Sequence, residues 1–223
     1  MNMTSPIMSP VPDAEPPRDC QLCPRLVAHR EACRAEFPTW WNGPIPAFGD
    51  PAAQIVIVGP PSSKHGANRT GRAFTGEFGA ALLFSILEKY GLAEDKYNAR
   101  LDDGLKLIDC AILTSVKCLP PQNKATPEEI RTCRQFLDAE VASLPNARIF
   151  IALGQVAHQS IVKVLGGRLP KAPFAHLAEH RVPDGRVIID SHQSSFQNTS
   201  SGLLTDELFD AVFERAVALR REG

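Results

Sequence analysis

Between an apolar run, Ile55-Val56-Ile57-Val58, and a segment of helical periodicity beginning near Glu77 lies the stretch Gly59-Pro60-Pro61-Ser62-Ser63-Lys64-His65-Gly66-Ala67-Asn68-Arg69-Thr70-Gly71-Arg72-Ala73-Phe74-Thr75-Gly76. It combines glycines that admit close backbone approach, cations that attract phosphate, hydroxyls and one aromatic ring, and a carboxylate, Glu77, follows it. Such a mixture can hold a phosphate and stack a flat ring at once. A second group is sulfur. Cys20-Gln-Leu-Cys23 stands near the start of the folded part, and Cys118 and Cys133 form a wider pair around Pro120-Pro121 and a helix start. Four thiolates close around zinc or an iron–sulfur cluster. Cys33 and Cys110 are left over, and Cys110, inside an apolar run, reads as a small buried side chain. The third group is Ser191-His192-Gln193-Ser194-Ser195-Phe196-Gln197-Asn198, a polar run after another apolar stretch.

The elements that must position these groups follow from periodicity. Gln54–Val58, Leu107–Val116, Arg148–Leu153 and Val187–Asp190 read as strands. Glu77–Tyr90 reads as a helix with Phe78, Leu82, Ile86 and Tyr90 on one face. Thr126-Pro127-Glu128-Glu129 is a capping box with proline at the first helical position. The helix it opens carries Ile130, Cys133, Leu137, Val141 and Leu144. Gly154 starts a helix running to about Leu165, and Thr205-Asp206-Glu207 starts the last one. Strands alternating with helices predict a three-layer α/β/α fold around a central four-stranded parallel sheet. The loops after the strands then gather at one edge, where open α/β sheets bind ligands. Every unusual polar stretch falls at that edge.

With 223 residues the chain suits one full-cored domain. The proline- and serine-rich residues 1–17 read as a disordered tail and residues 18–223 as a single domain with a sulfur-bearing lobe. The start has neither a basic n-region nor an apolar h-region, and no apolar run is long enough to span a bilayer, so the expected location is cytoplasmic, without membrane contact. The net charge of −1 disfavours non-specific coating of nucleic acid, but leaves room for a local patch at Lys64, Arg69 and Arg72.

With those residues placed, the chain resembles the iron–sulfur uracil-DNA glycosylases, most closely family 5 (type b). The resemblance runs from Cys20 to the last helix. It rests on Pro44-Ile45-Pro46-Ala47-Phe48-Gly49-Asp50, Asn68-Arg69-Thr70-Gly71-Arg72-Ala73-Phe74-Thr75-Gly76, Val116-Lys117-Cys118-Leu119-Pro120-Pro121, Asn123-Lys124-Ala125-Thr126-Pro127-Glu128-Glu129, Cys133, Ala152-Leu153-Gly154 and Gln197-Asn198-Thr199. It implies a 4Fe–4S cluster on Cys20, Cys23, Cys118 and Cys133, and hydrolysis of the bond between uracil and deoxyribose in single- or double-stranded DNA, with base excision repair as the setting. A monomer is expected. The extruded base would meet Gly59, Pro60, Ser62, Phe74, Ser115 and His192. Lys64, His65, Asn68, Arg69, Arg72, Ser194, Ser195 and Asn198 would face DNA.

Two departures bear on catalysis. The acidic residue after Phe-Thr-Gly is usually Asp in family 5 and is Glu77 here, the candidate for orienting water. Its bland reading is a helix N-terminal acid. The family's His-Pro-Ser segment is replaced: aligned without a gap through Gln197-Asn198-Thr199, its histidine falls on Gln193, whereas alignment on the histidine itself selects His192 and needs an insertion. Either side chain can donate to the base O2. Ser115 stands where related families place an amide, which leaves xanthine and hypoxanthine as alternative bases. A non-cleaving binder of deaminated or abasic DNA is the alternative outside catalysis. His65 also reads as a solvated side chain, Asn198 as closing its own turn, His158, His176 and His180 as surface or satisfied histidines, and Trp40-Trp41 as a packing anchor.

Overall fold

A computed structural model describes residues 9–222. In chain order the elements are α1 (Pro24–Glu36), β1 (Phe48–Gly49), β2 (Ile55–Gly59), α2 (Ala67–Thr70), α3 (Ala80–Lys89), β3 (Ala93–Glu94), β4 (Lys106–Leu107), β5 (Cys110–Thr114), α4 (Pro127–Ala142), β6 (Ile149–Leu153), α5 (Gln155–Val164), β7 (Glu179–Arg181), β8 (Val187–Ser191), α6 (Phe196–Ser200) and α7 (Asp206–Glu222). The main sheet has the order β1-β5-β2-β6-β8-β7. Its four inner strands, β5, β2, β6 and β8, are parallel as expected. The two edge strands are antiparallel additions to the four-stranded expectation.

The inner strands are buried on both faces, which is why they read as unbroken apolar runs. Ile55, Ile57, Ile112, Ile151 and Ile189 face α3 and α7, while Val56, Val58, Leu113, Phe150 and Ile188 face α4 and α5. Each such side chain contributes roughly 1.5–3 kcal/mol on burial. The chain leaves β2 through α3 on one face and leaves β6 through α5 on the other. The crevice outside the carboxyl ends of β2 and β6 is therefore the topological switch point.

Three expectations are corrected. The tail expected over 1–17 does not extend that far: Val11 and Ala14 are buried in the α4/α5-side core, and Glu15 Oε1 accepts from Ala47 N at 2.8 Å. Residues 1–8 of that tail lie outside the described residues. The strand expected over Leu107–Val116 is broken at Asp109, which has φ 53° and whose carboxylate holds Gln54 N at 3.0 Å. Lys106–Leu107 pairs instead with Ala93–Glu94 in a separate small sheet. Helix α3 begins at Ala80 rather than Glu77 and buries Ala80, Leu83, Phe84, Ile86 and Leu87, leaving Phe78 62% exposed. The capping box forms as read: Glu129 N donates to Thr126 Oγ1, and Glu129 Oε2 accepts from Thr126 N. Among the described residues, no helix is long and apolar enough to cross a membrane.

Candidate functional site

At the carboxyl end of β2, Gly59 has no side chain, and the edge of the Phe74 ring lies within 3.0 Å of where a Cβ would stand. Phe74 holds φ 61°, a left-handed conformation uncommon for a bulky residue, and is 5% exposed. Strain of this kind collects where a ring must be set at one angle. Ser115 N donates to Gly59 O at 3.0 Å, which ties the end of β5 to the same spot. Around it Ser62, Thr114 and Ser115 are buried hydroxyls with no hydrogen-bond partner among the described residues. Buried polar atoms left open need a reason, and a polar ligand edge supplies one. Thr114 was missed in the sequence. Its signal was its place as the last residue of an apolar strand, in register with Gly59.

The Glu77 side chain folds back under the loop. Its Cγ and Oε1 occupy the space a side chain at Gly66 would need, and Oε1 accepts from Ala67 N at 3.4 Å. Burial raises its pKa, with bonds from Ser63 and Ala67 opposing. The residue is not a helix N-terminal acid, because α3 starts three residues later. Gly79 is pressed against Ser194, whose carbonyl and hydroxyl fill the position of a missing Cβ. That contact brings the 191–198 segment to the mouth of the Gly59–Gly76 loop.

Within this segment the two candidates for the histidine role diverge. The His192 ring stacks parallel on His176, with centroids 5.3 Å apart and planes at 4°, and meets Phe174 edge-on at 5.8 Å. Its backbone N donates to His176 Nδ1 at 3.3 Å. Gln193 Cβ lies over Gly154, 3.9 Å from where a Cβ there would stand, at the carboxyl end of β6. His192 is thus packed into a wall of rings, and Gln193 begins beside Gly154 at the carboxyl end of β6.

The expected DNA-facing residues separate into two sets. Lys64, His65 and Arg69 reach the surface of the loop. Lys64 sits 3.6 Å from Glu36 and over the Phe37 ring, while Arg69 donates through Nε to His65 O at 2.9 Å. Arg72, Asn68 and Ser194 are corrections. Arg72 is 2% exposed, and its guanidinium is taken by Asp103 at 2.7 and 2.8 Å, Arg100 O and Thr75 Oγ1. A buried pair of this kind is structural, and breaking one by removing a partner costs about 3–5 kcal/mol. Asn68 is buried and donates to Asn42 Oδ1 at 2.9 Å, and Ser194 is buried against Gly79. Ser195 caps α6, and Asn198 Nδ2 donates to Gln193 O at 2.8 Å, so both act first on their own turn. Phe78 and Phe196 were not chosen as site residues. They form an edge-to-face pair at 5.4 Å, 62% and 67% exposed, Phe78 just before α3 and Phe196 opening α6.

On the other side of the β5 loop, Cys20, Cys23, Cys118 and Cys133 line one cavity with Leu26 and Arg30. Burial pushes the Cys118 thiol up to about 11, with Arg30 pulling it back, and the Cys133 thiol up to about 12. Thiols in such a place become thiolates by binding metal, with release of protons. Among the described residues the one trio of ligand atoms lying within 4.8 Å of one another is His158, His180 and Asp190, so no three cysteine sulfurs are that close. The His158–Asp190–His180 trio is already bonded internally, at 2.7 and 2.9 Å, and His158 Nε2 faces Ala172 O at 2.9 Å. It pins the 172–180 segment to β8, as the satisfied-histidine reading expected of His158.

Comparison with known proteins agrees with this arrangement. The family model described as Uracil DNA glycosylase superfamily matches residues 46–216. A Type-5 uracil-DNA glycosylase of Thermus thermophilus is 41% identical over 207 residues, covering 90% of this chain and 93% of that protein. One of Pyrobaculum aerophilum is 36% identical, covering 90% and 88%, and one of Mycobacterium tuberculosis is 34% identical, covering 90% and 78%. On the strength of these matches and the crevice they span, the chain belongs to the uracil-DNA glycosylase superfamily.

Proposed function

We propose that this chain excises uracil from DNA by hydrolysing its N-glycosidic bond, with a 4Fe–4S cluster held by Cys20, Cys23, Cys118 and Cys133. The observation that carries the reading is the pairing of the Phe74 ring, held at a left-handed φ over Gly59, with the buried Glu77 carboxylate in one loop at the sheet's switch point. An extruded pyrimidine stacks on Phe74, for roughly 1–3 kcal/mol, and lays its edge on Ser62, Thr114 and Ser115. Glu77 orients water toward C1′, the C1′–N1 bond breaks, and the base leaves as an anion that Gln193 stabilises by donating to O2. The water oxygen bonds C1′ and its proton ends on the base. The cluster supplies structural bracing of the lobe. The reading is of residues 9–222 as one unit, acting as a monomer on uracil-containing DNA.

Hydrolysis without a covalent intermediate fits the lysines. Lys64 is engaged with Glu36 and Phe37, and Lys117 is buried in an ion pair with Glu140. Borohydride is expected to trap no protein–DNA adduct. The central test is anaerobically purified protein on matched oligonucleotides bearing uracil, xanthine or hypoxanthine. Free uracil and brown, iron-containing protein are expected. Tight binding with no base release would favour a non-cleaving binder, and colourless zinc protein would remove the cluster.

The exposed Phe78–Phe196 pair faces outward at the crevice mouth and fits the stack that the extruded base vacates. Replacing both by Ala is expected to slow release from duplex DNA at least 10-fold more than from single strands. The comparison of the two substrates checks it, because only the duplex has a stacked gap to fill. Equal losses on both would assign the pair to general affinity instead.

A further inference from the structure

We propose that Arg30 is the charge-balancing hydrogen-bond donor to the sulfur atoms of the cysteine lobe, and that it sets the cluster's reduction potential and its resistance to iron loss. This rests on the cofactor reading above. Arg30 projects from α1 and is 4% exposed. A buried guanidinium is costly unless its donors and its charge are met. Nη1 donates to Cys20 O at 3.0 Å. Nε and Nη2 have no hydrogen-bond partner among the described residues, and the nearest carboxylate, the exposed Glu31, stands 3.6 Å from Nε.

Three other arginines near the lobe have their own neighbours. Arg25 holds Glu129, Arg34 holds Asp19 and Glu31, and Arg18 lies over the Trp41 ring. Arg30 alone among these four lines the cavity formed by Cys20, Cys23, Cys118 and Cys133. Four thiolates outweigh the positive charge of an iron–sulfur core, so the assembly is an anion, and each added electron makes it more so. A fixed cation lining the same cavity as the sulfurs, with Nε and Nη2 left without a hydrogen-bond partner among the described residues, favours the reduced state. It also holds the ligands against exchange, as second-shell donors do at other metal sites.

The test uses the full chain, purified anaerobically as wild type, Arg30→Gln and Arg30→Lys. Iron and sulfide content, visible absorption, midpoint potential by direct electrochemistry, iron release to a chelator and thermal unfolding are measured. Arg30→Gln is expected to lower the midpoint potential and to release iron about 10–100-fold faster. Arg30→Lys, which keeps the charge but loses the fork, falls between. An iron-loaded Arg30→Gln with wild-type potential and release rate overturns the assignment, whatever its melting temperature. If Arg30→Gln does not fold, Arg30→Lys decides by the same two readouts. Wild-type protein without iron would instead remove the cofactor reading, an outcome visible before any variant is made.

Discussion

Glu77→Gln is expected to slow single-turnover uracil release by about 10²–10⁴-fold, the loss typical of removing a general base, while making the protein more stable at neutral pH. Both effects have one cause. The carboxylate is drawn into the loop against Gly66, and burial lifts its pKa above the ordinary 4.5 despite bonds from Ser63 and Ala67. A carboxyl whose folded pKa is raised favours folding in its protonated form. That contribution is complete below the unfolded pKa and is lost as pH rises through the folded value. At neutral pH the ionised group is therefore a burden that a neutral amide of the same shape does not carry. The stability gap between variant and wild type should open as pH rises from 4 to 7, and thermal melts across that range measure it. The wild-type rate should climb with pH along an acid limb above the usual glutamate range, and the variant should lack that limb. A variant with near-wild-type release would take water orientation away from Glu77.

The parallel strands were legible because burial on both faces demands unbroken apolar runs, and the grouping of Cys20 and Cys23 with Cys118 and Cys133 around one cavity because two cysteine pairs stood together in the reading where one CxxC alone is weak. What stayed hidden depended on partners distant in sequence. Arg72 looked like a phosphate ligand beside Lys64 and Arg69, but its fate is set by Asp103, a residue in another loop. Asn68 is likewise claimed by Asn42. The start of α3 was misplaced because Phe78, Leu82 and Ile86 share a helical face on paper. In the fold, Gly79 must lie flat against Ser194, so the helix begins after it and Phe78 is left in solvent. The edge strands Phe48–Gly49 and Glu179–Arg181 are too short to show a period at all. The failures at Arg72, Asn68 and the start of α3 share a form: local pattern proposes, and a contact with a residue distant in sequence disposes.

Gln193→Ala is expected to cost about 10²–10³-fold in release, the loss found when one donor to a developing anion is removed, and His192→Ala less than about 10-fold. The sequence left the two equal. In the fold Gln193 Cβ lies beside Gly154, while His192 is stacked on His176 and meets Phe174 edge-on. His176 is itself fixed, with Nε2 facing Leu208 O at 3.2 Å and Nδ1 taking the His192 backbone N–H. Removing the His192 ring loosens a wall but takes no donor from the base. Gln193→His should recover much of the rate lost in Gln193→Ala, because an imidazole at that position again offers an N–H to O2. Asn198, which holds the Gln193 carbonyl at 2.8 Å, keeps the backbone in place in all three variants. Single-turnover rates on one uracil oligonucleotide, with melting temperatures beside them, decide the order. A larger loss in His192→Ala than in Gln193→Ala, at equal stability, would return the donor to the imidazole and place the gap in the alignment instead.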